Sequence, residues 1–290
     1  MKSPFTPLAA NRFGKHLVLA IAAASAALTL AGCALPKPHR FAVYSHNQAG
    51  QFGSLDLAKG KFTQIGPDLP EGETGLVAGP AGTLLTLGYS GNLYSIQISS
   101  GVATLVGPTG LSDCSGPASP CGPFSAYNLG IVGTTIYAND FGNNLYTVDP
   151  TTAKATLIGN TGIPPALENV GTVNPDGTLN VFDATLFSVN GKLYETSSSS
   201  TLDFTTNTSV PTEPAFLYEI NTTTGKATKI APTSLNLTAA FNIDGIVYAY
   251  YGLHSQWVTL SLTDGKITKV SDDADPALGP TFGGYAVEIL

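Results

Sequence analysis

The chain has 290 residues, a formal net charge of −7, only 11% charged residues and 32 glycines. An acidic protein repels nucleic acid and anionic lipid headgroups, which argues against both as partners of the folded part. Scarce charge beside abundant Gly, Ser, Thr and Asn argues against a helical protein and for short strands joined by tight turns.

The first 32 residues read as a targeting segment to be set aside before fold reasoning. Lys2, Arg12 and Lys15 supply positive charge without any acid, and residues 17–31 are apolar apart from Ser25 and Thr29. That run of 15 residues is shorter than the roughly 20 needed to cross a bilayer as a helix, and it suits a secretory signal. It closes on Leu30-Ala31-Gly32-Cys33. This tetrapeptide resembles the lipobox of bacterial lipoproteins. The resemblance implies a diacylglyceryl group on Cys33, cleavage before it, and anchoring of the protein to a membrane through that lipid. Ala34 stands where Asp causes inner-membrane retention in some Gram-negative bacteria, which favours an outer-membrane location in such a cell. Residues 33–40 then form the lipidated tether. The mature chain of 258 residues carries a net charge of −10, because the signal removes three basic residues and no acid.

Residues 41–290 are expected to form one all-β domain built from an internal repeat. The first unit opens on Phe41-Ala42-Val43-Tyr44, continues with Ser54-Leu55-Asp56-Leu57, and ends on Lys61-Phe62-Thr63-Gln64-Ile65-Gly66. The second turns at Ala81-Gly82, alternates through Leu93-Tyr94-Ser95-Ile96, and ends on Val102-Ala103-Thr104-Leu105-Val106-Gly107. The third turns at Val132-Gly133, passes Leu145-Tyr146-Thr147-Val148, and ends on Lys154-Ala155-Thr156-Leu157-Ile158-Gly159. The fourth uses Asn190-Gly191, Leu217-Tyr218-Glu219-Ile220 and Lys226-Ala227-Thr228-Lys229-Ile230-Ala231, and the fifth uses Asp244-Gly245, Trp257-Val258-Thr259-Leu260 and Lys266-Ile267-Thr268-Lys269-Val270-Ser271. Asn-Gly and Asp-Gly are strong hairpin signals, and period-2 alternation marks strands.

The Thr positions of the closing segments are 41, 52, 72 and 40 residues apart. A unit of about 40 residues is the period of a four-stranded propeller blade. Four units carry strands A to D, counted outward from the axis. The first lacks A, and the chain ends on one unpaired strand, residues 282–290. A single β-propeller of five four-stranded blades, closed by the C-terminal strand, accounts for both facts and removes exposed sheet edges. The repeated pattern resembles the bacterial secreted propellers of the NHL and YVTN kind. That resemblance covers most of the mature chain and implies architecture, not activity. The repeated Leu-Tyr pairs read as packing between blades.

In an A-B-C-D blade, the B–C loops and D–A links share one rim. The long connections, residues 108–125, 160–180 and 200–214, all fall there, and connections longer than about 12 residues are commonly functional. Cys114 and Cys121, with six residues between them, are expected to form a disulfide in an exported protein. The rim candidates are His46, Asn47, Tyr89, Asp140 and His254. Glu73, Asp183 and Asn236 start axial strands at similar heights, and oxygen ligands converging there suit Ca²⁺ or another divalent cation. The latter arrangement is similar to lactonase-type propellers and implies a metal-dependent hydrolase as the alternative reading. No catalytic Ser-His-Asp set stands out. The leading expectation is a cell-envelope binding module that engages a protein, glycan or small ligand through its rim.

Overall fold

The structure is a computed structural model that describes residues 40–111, 128–140, 143–163, 174–203, 208–234, 237–279 and 281–289. Blade 1 receives β1 (Arg40–Asn47), β2 (Phe52–Asp56) and β3 (Lys61–Gln64). Blade 2 is β4 (Glu73–Ala78), β5 (Thr83–Gly88), β6 (Asn92–Gln97) and β7 (Ala103–Pro108). Blade 3 is β8 (Leu129–Val132), β9 (Thr135–Asn139), β10 (Asn144–Val148) and β11 (Ala155–Asn160). Blade 4 is β12 (Thr178–Val189), β13 (Lys192–Asp203), β14 (Thr208–Ile220) and β15 (Ala227–Pro232). Blade 5 is β16 (Leu237–Ile243), β17 (Ile246–Tyr251), β18 (Gln256–Leu260) and β19 (Ile267–Asp272). The last strand, β20 (Thr281–Ile289), pairs antiparallel with β1 and makes the first sheet β20-β1-β2-β3. The five blades and the C-terminal closure expected from the repeat are therefore present.

The core is divided among five seams, one between each pair of neighbouring blades. Phe52, Leu76, Leu84 and Ile96 pack blade 1 on blade 2, and Leu85, Leu93, Leu129 and Ile136 pack blade 2 on blade 3. Tyr137, Leu145, Leu193 and Tyr218 fill the next seam, and Phe187, Tyr194, Leu237 and Val247 the one after it. Val43, Leu55, Phe241, Tyr250 and Trp257 join blade 5 back to blade 1. Trp257 is 1% exposed and meets the Tyr250 ring edge-on at 5.2 Å. The Leu-Tyr pairs are thus seam packing, as their repetition suggested.

An outer girdle supplements the seams. The turn from strand C to strand D in each blade lies against the end of strand D in the blade before it. A methyl on Gly101 would lie 1.8 Å from the Ile65 carbonyl oxygen, and one on Gly265 2.1 Å from that of Pro232. The same contact closes the circle, since Gly60 abuts the Asp272 carbonyl while Ser271 Oγ donates to Leu57 O at 2.7 Å. This explains the small sixth residue of every Thr segment, Gly66, Gly107, Gly159, Ala231 and Ser271: the next blade's turn occupies the space.

Blade 4 departs from the sequence reading. Residues 200–214, expected as a B–C loop, are largely strand: β12, β13 and β14 run for 12, 12 and 13 residues. Strands elsewhere have 4 to 9 residues. Twelve consecutive register pairs join β12 to β13, from Val189 opposite Lys192 to Thr178 opposite Asp203. Only residues 204–207 remain between β13 and β14. Among the described residues, a three-stranded ribbon therefore continues past the rim from blade 4 alone, for about 20 Å at the usual rise of roughly 3.3 Å per residue.

Candidate functional site

The buried polar residues form an inner ring where the axial strands approach the B–C rim. His46 Nε2 donates to Gly75 O at 3.1 Å, from blade 1 to blade 2. The Asn128 side-chain amide reaches Ala184 O, from blade 3 to blade 4. Thr185 Oγ1 donates to Leu237 O at 3.0 Å and Thr238 Oγ1 to Thr281 O at 2.5 Å, which carries the chain through blade 5 to blade 1. Four of the five seams thus hold a side-chain-to-carbonyl clasp. At the fifth, Gly75 (φ +66°) lets the backbone of blade 2 come so close to Leu129 N that a Cβ would be 2.4 Å away.

This ring corrects the reading of two rim candidates. His46 is 1% exposed and Asn47 6% exposed, so both belong to the interior and not to the rim surface. Burial pushes the His46 imidazole down to about 4, against a smaller opposing effect of its bond to Gly75. It is therefore neutral and a donor through Nε2. Asn47 holds the β1–β2 turn, accepting from Gln51 N at 3.1 Å and donating to Gln51 Oε1 at 3.2 Å. The misplacement arose because β1 runs on to residue 47, and a neighbouring carbonyl satisfies a polar ring that sequence alone assigns to solvent.

The other three rim candidates reach the surface to different degrees. Asp140 is half-buried and accepts from Asn144 N at 2.9 Å, from Asn144 Nδ2 at 3.0 Å and from Tyr146 OH at 2.7 Å. Its carboxylate ties the end of β9 to the first residues of β10. Glu71, absent from the sequence reading, does the same for blade 2 through Ser90 N, Ser90 Oγ and Tyr94 OH. Tyr89 is half-buried beside Gly72, where a Cβ would strike its ring at 2.1 Å. His254 is exposed, with its ring 4.7 Å from that of Tyr251.

Of the expected metal ligands, Glu73 begins β4 and Asp183 lies in β12 opposite Ser198. The residues that follow them, Thr74 and Ala184, are buried. Asn236 lies outside the described residues, as do Cys33, Cys114 and Cys121. Among the described residues no three His, Cys, Asp or Glu side chains gather into a metal-binding group. A cavity of about 410 Å³ occupies the axis, and its mouth lies on the opposite rim, among the A–B turns at Gly133, Asn190 and Asp244. Tyr285 lines it, and burial raises the pKa of that phenol.

The sequence reading missed Glu195. This residue is 0% exposed in β13, and burial pushes its carboxyl up to about 8. The Asn139 amide across the seam favours the ionised form slightly, yet neither carboxyl oxygen nor Asn139 Nδ2 completes a hydrogen bond. Buried polar atoms without partners are uncommon in native proteins, and these sit at the root of the blade 4 ribbon.

No family model matches the sequence, and comparison with curated proteins returns no match. Similar solved structures include nidogen in its complex with laminin, at 11% identity and a TM-score of 0.47 over 85% of this chain and 98% of that one. A PQQ-bound aldose sugar dehydrogenase from Streptomyces coelicolor aligns at 10% identity and 0.41, over 79% of this chain and 66% of the other. TolB from Acinetobacter baumannii aligns at 11% identity and 0.35, over 86% and 66%. At such identities the likeness concerns architecture alone.

Proposed function

We propose that this protein is a non-enzymatic binding module of the cell envelope, tethered through a lipid on Cys33, that engages its ligand at the rim around blade 4. The observation that carries the reading is the asymmetry of that rim. Five blades share one repeat, yet one extends three strands beyond the ring, and the long connections from β7 to β8 and from β11 to β12 lead into blades 3 and 4. A rigid ring carrying one-sided elaboration is the usual way to present a recognition surface. The net charge of −10 on the mature chain favours a protein, glycan or small ligand over nucleic acid. A metal-dependent hydrolase at the same rim is the second reading, supported by the acidic residues Glu73 and Asp183 on the axial strands β4 and β12; divalent-ion content before and after chelation distinguishes it.

Photo-cross-linking in cells tests the leading reading. Val210 on the ribbon is 59% exposed and Leu157 on the outer strand of blade 3 is 58% exposed, so probes at the two sites differ in location and not in access. The expected outcome is a discrete adduct from position 210 and none from 157. Adducts from 157 with none from 210 overturn the rim as the binding face.

A further inference from the structure

The B strands can be aligned by their register with the C strands. Thr86 is opposite Tyr94, Ala138 opposite Tyr146, Glu195 opposite Tyr218, Ala249 opposite Val258 and Ser45 opposite Gly53. Four blades place a small or short side chain at this buried position. Blade 4 alone places a carboxylic acid there. A lapse from a repeat that costs burial of an ionisable group marks a site with a role beyond packing.

We propose that Glu195 is a proton-operated lock on the seam between blades 3 and 4, holding the seam closed as the neutral acid and loosening it as the carboxylate. The neutral acid fits this buried position, where its cross-strand partners Leu186 and Tyr218 belong to the apolar cluster of the seam, because it carries no charge to solvate. A carboxylate there needs several donors, and the seam offers only the Asn139 amide, which does not complete a hydrogen bond. Ionisation therefore favours any opening that admits water.

A short path leads from this carboxyl to the inner ring. Asn139 Oδ1 accepts from Asn128 N at 3.1 Å, and the Asn128 side chain clasps Ala184 O of blade 4. A shift of the Asn139 amide toward an ionised Glu195 pulls on the clasp between β8 and β12. The titratable groups around the site are few. β9 contributes Tyr137 and β14 contributes Tyr218. β10 carries Tyr146 and β12 carries Asp183, three residues from Leu186, the cross-strand partner of Glu195. β13 itself carries Lys192, Tyr194 and, at its far end, Asp203, and β8 has no ionisable residue. None of these groups contributes to the Glu195 shift, whose causes are burial and Asn139 alone. The lock operates whether or not the ribbon above it binds a partner.

Hydrogen–deuterium exchange of the full mature chain at pH 6 and pH 9.5, corrected for intrinsic exchange rates, tests the lock. Exchange in β8, β9 and β13 is expected to rise about tenfold or more at the higher pH, while β2 and β17, in the seam between blades 5 and 1, stay unchanged. Glu195→Gln, which keeps the shape without the charge, should abolish the rise. Glu195→Ala, which restores the small residue of the other blades, should abolish it too. An equal rise in all five seams, no rise in the parent, or a rise that persists in Glu195→Gln overturns the proposal.

Discussion

His46 and Glu195 are ionisable, buried and displaced in opposite senses, and together they set how stability varies with pH. The folded state holds His46 neutral down to about pH 4, whereas the ordinary value is 6.5. Its contribution is present above pH 6.5 and is lost as pH falls through 4, because the unfolded chain takes up a proton that the folded one refuses. Glu195 stays protonated up to about pH 8 against an ordinary 4.5. Its contribution is complete below pH 4.5 and is lost as pH rises through 8. Each slope is about 1.4 kcal/mol per pH unit. Between 4.5 and 6.5 the two slopes oppose and cancel, so stability is expected to be level there and to fall on both sides. Urea unfolding from pH 3.5 to 9 measures this, with Glu195→Gln removing the alkaline fall and turning the level stretch into a rise from pH 4.5 to 6.5, where the His46 slope is then unopposed. A parent whose stability climbs from pH 6.5 to 8 contradicts the assignment. Neither residue was recognisable as buried from sequence. Leu193-Glu195 and Tyr194-Thr196 alternate as though one face met solvent, but in a propeller both faces of a blade meet neighbouring blades, so alternation separates one seam from the next.

At the level of elements, the most informative signal was the Thr segment with its small last residue. Its recurrence gave the blade count, and the girdle contacts supply the cause. Gly101 illustrates how specific that contact is. Its φ of +68° alone disfavours a side chain, and the Ile65 carbonyl leaves no room for one. Gly133, with a φ of +62° and nothing within 4 Å of where a methyl group would sit, carries the conformational demand without the contact. Left-handed backbone costs an L-residue roughly 1–2 kcal/mol, so Gly133→Ala should destabilise by about that amount. Gly101→Ala should destabilise distinctly more, as read by thermal unfolding of the two variants side by side. Equal losses exclude the girdle as a stabilising contact. The blade 4 ribbon, by contrast, was illegible as strand. A run of four serines flanked by Thr, with Pro211 and Pro214 on the neighbouring strand, has the composition of a loop. Pairing with β12 on one side and β14 on the other overrides that local preference, and β13 shifts register at Ser197, Ser199 and Ser200 to accommodate it.

For the whole molecule, closure of the ring is the property on which everything else depends. Two kinds of contact achieve it. On the axial side, β20 forms eight register pairs with β1 and lays Ala286 and Val287 into the seams toward blades 5 and 2. On the outer side, Ser271 bonds to Leu57 and Ala274 N donates to Gly60 O at 3.0 Å. Deleting residues 282–290 removes the first kind and spares the second. Backbone hydrogen bonds contribute about 0.5–1.5 kcal/mol each net, so loss of a whole strand is comparable with the roughly 5–15 kcal/mol that holds an ordinary domain folded. The deletion also bares the edge of β1 beside an axial gap, which invites pairing between molecules. The truncated protein should aggregate or be degraded, and the outer contacts should not rescue it, because they leave the two seams that β20 fills without one wall. Removing residues 34–38, ahead of β1, should leave the melting temperature unchanged. A soluble truncated protein that melts with the parent shows that four and three-quarter blades suffice, and that the C-terminal strand does not close the ring in the sense argued from its pairing.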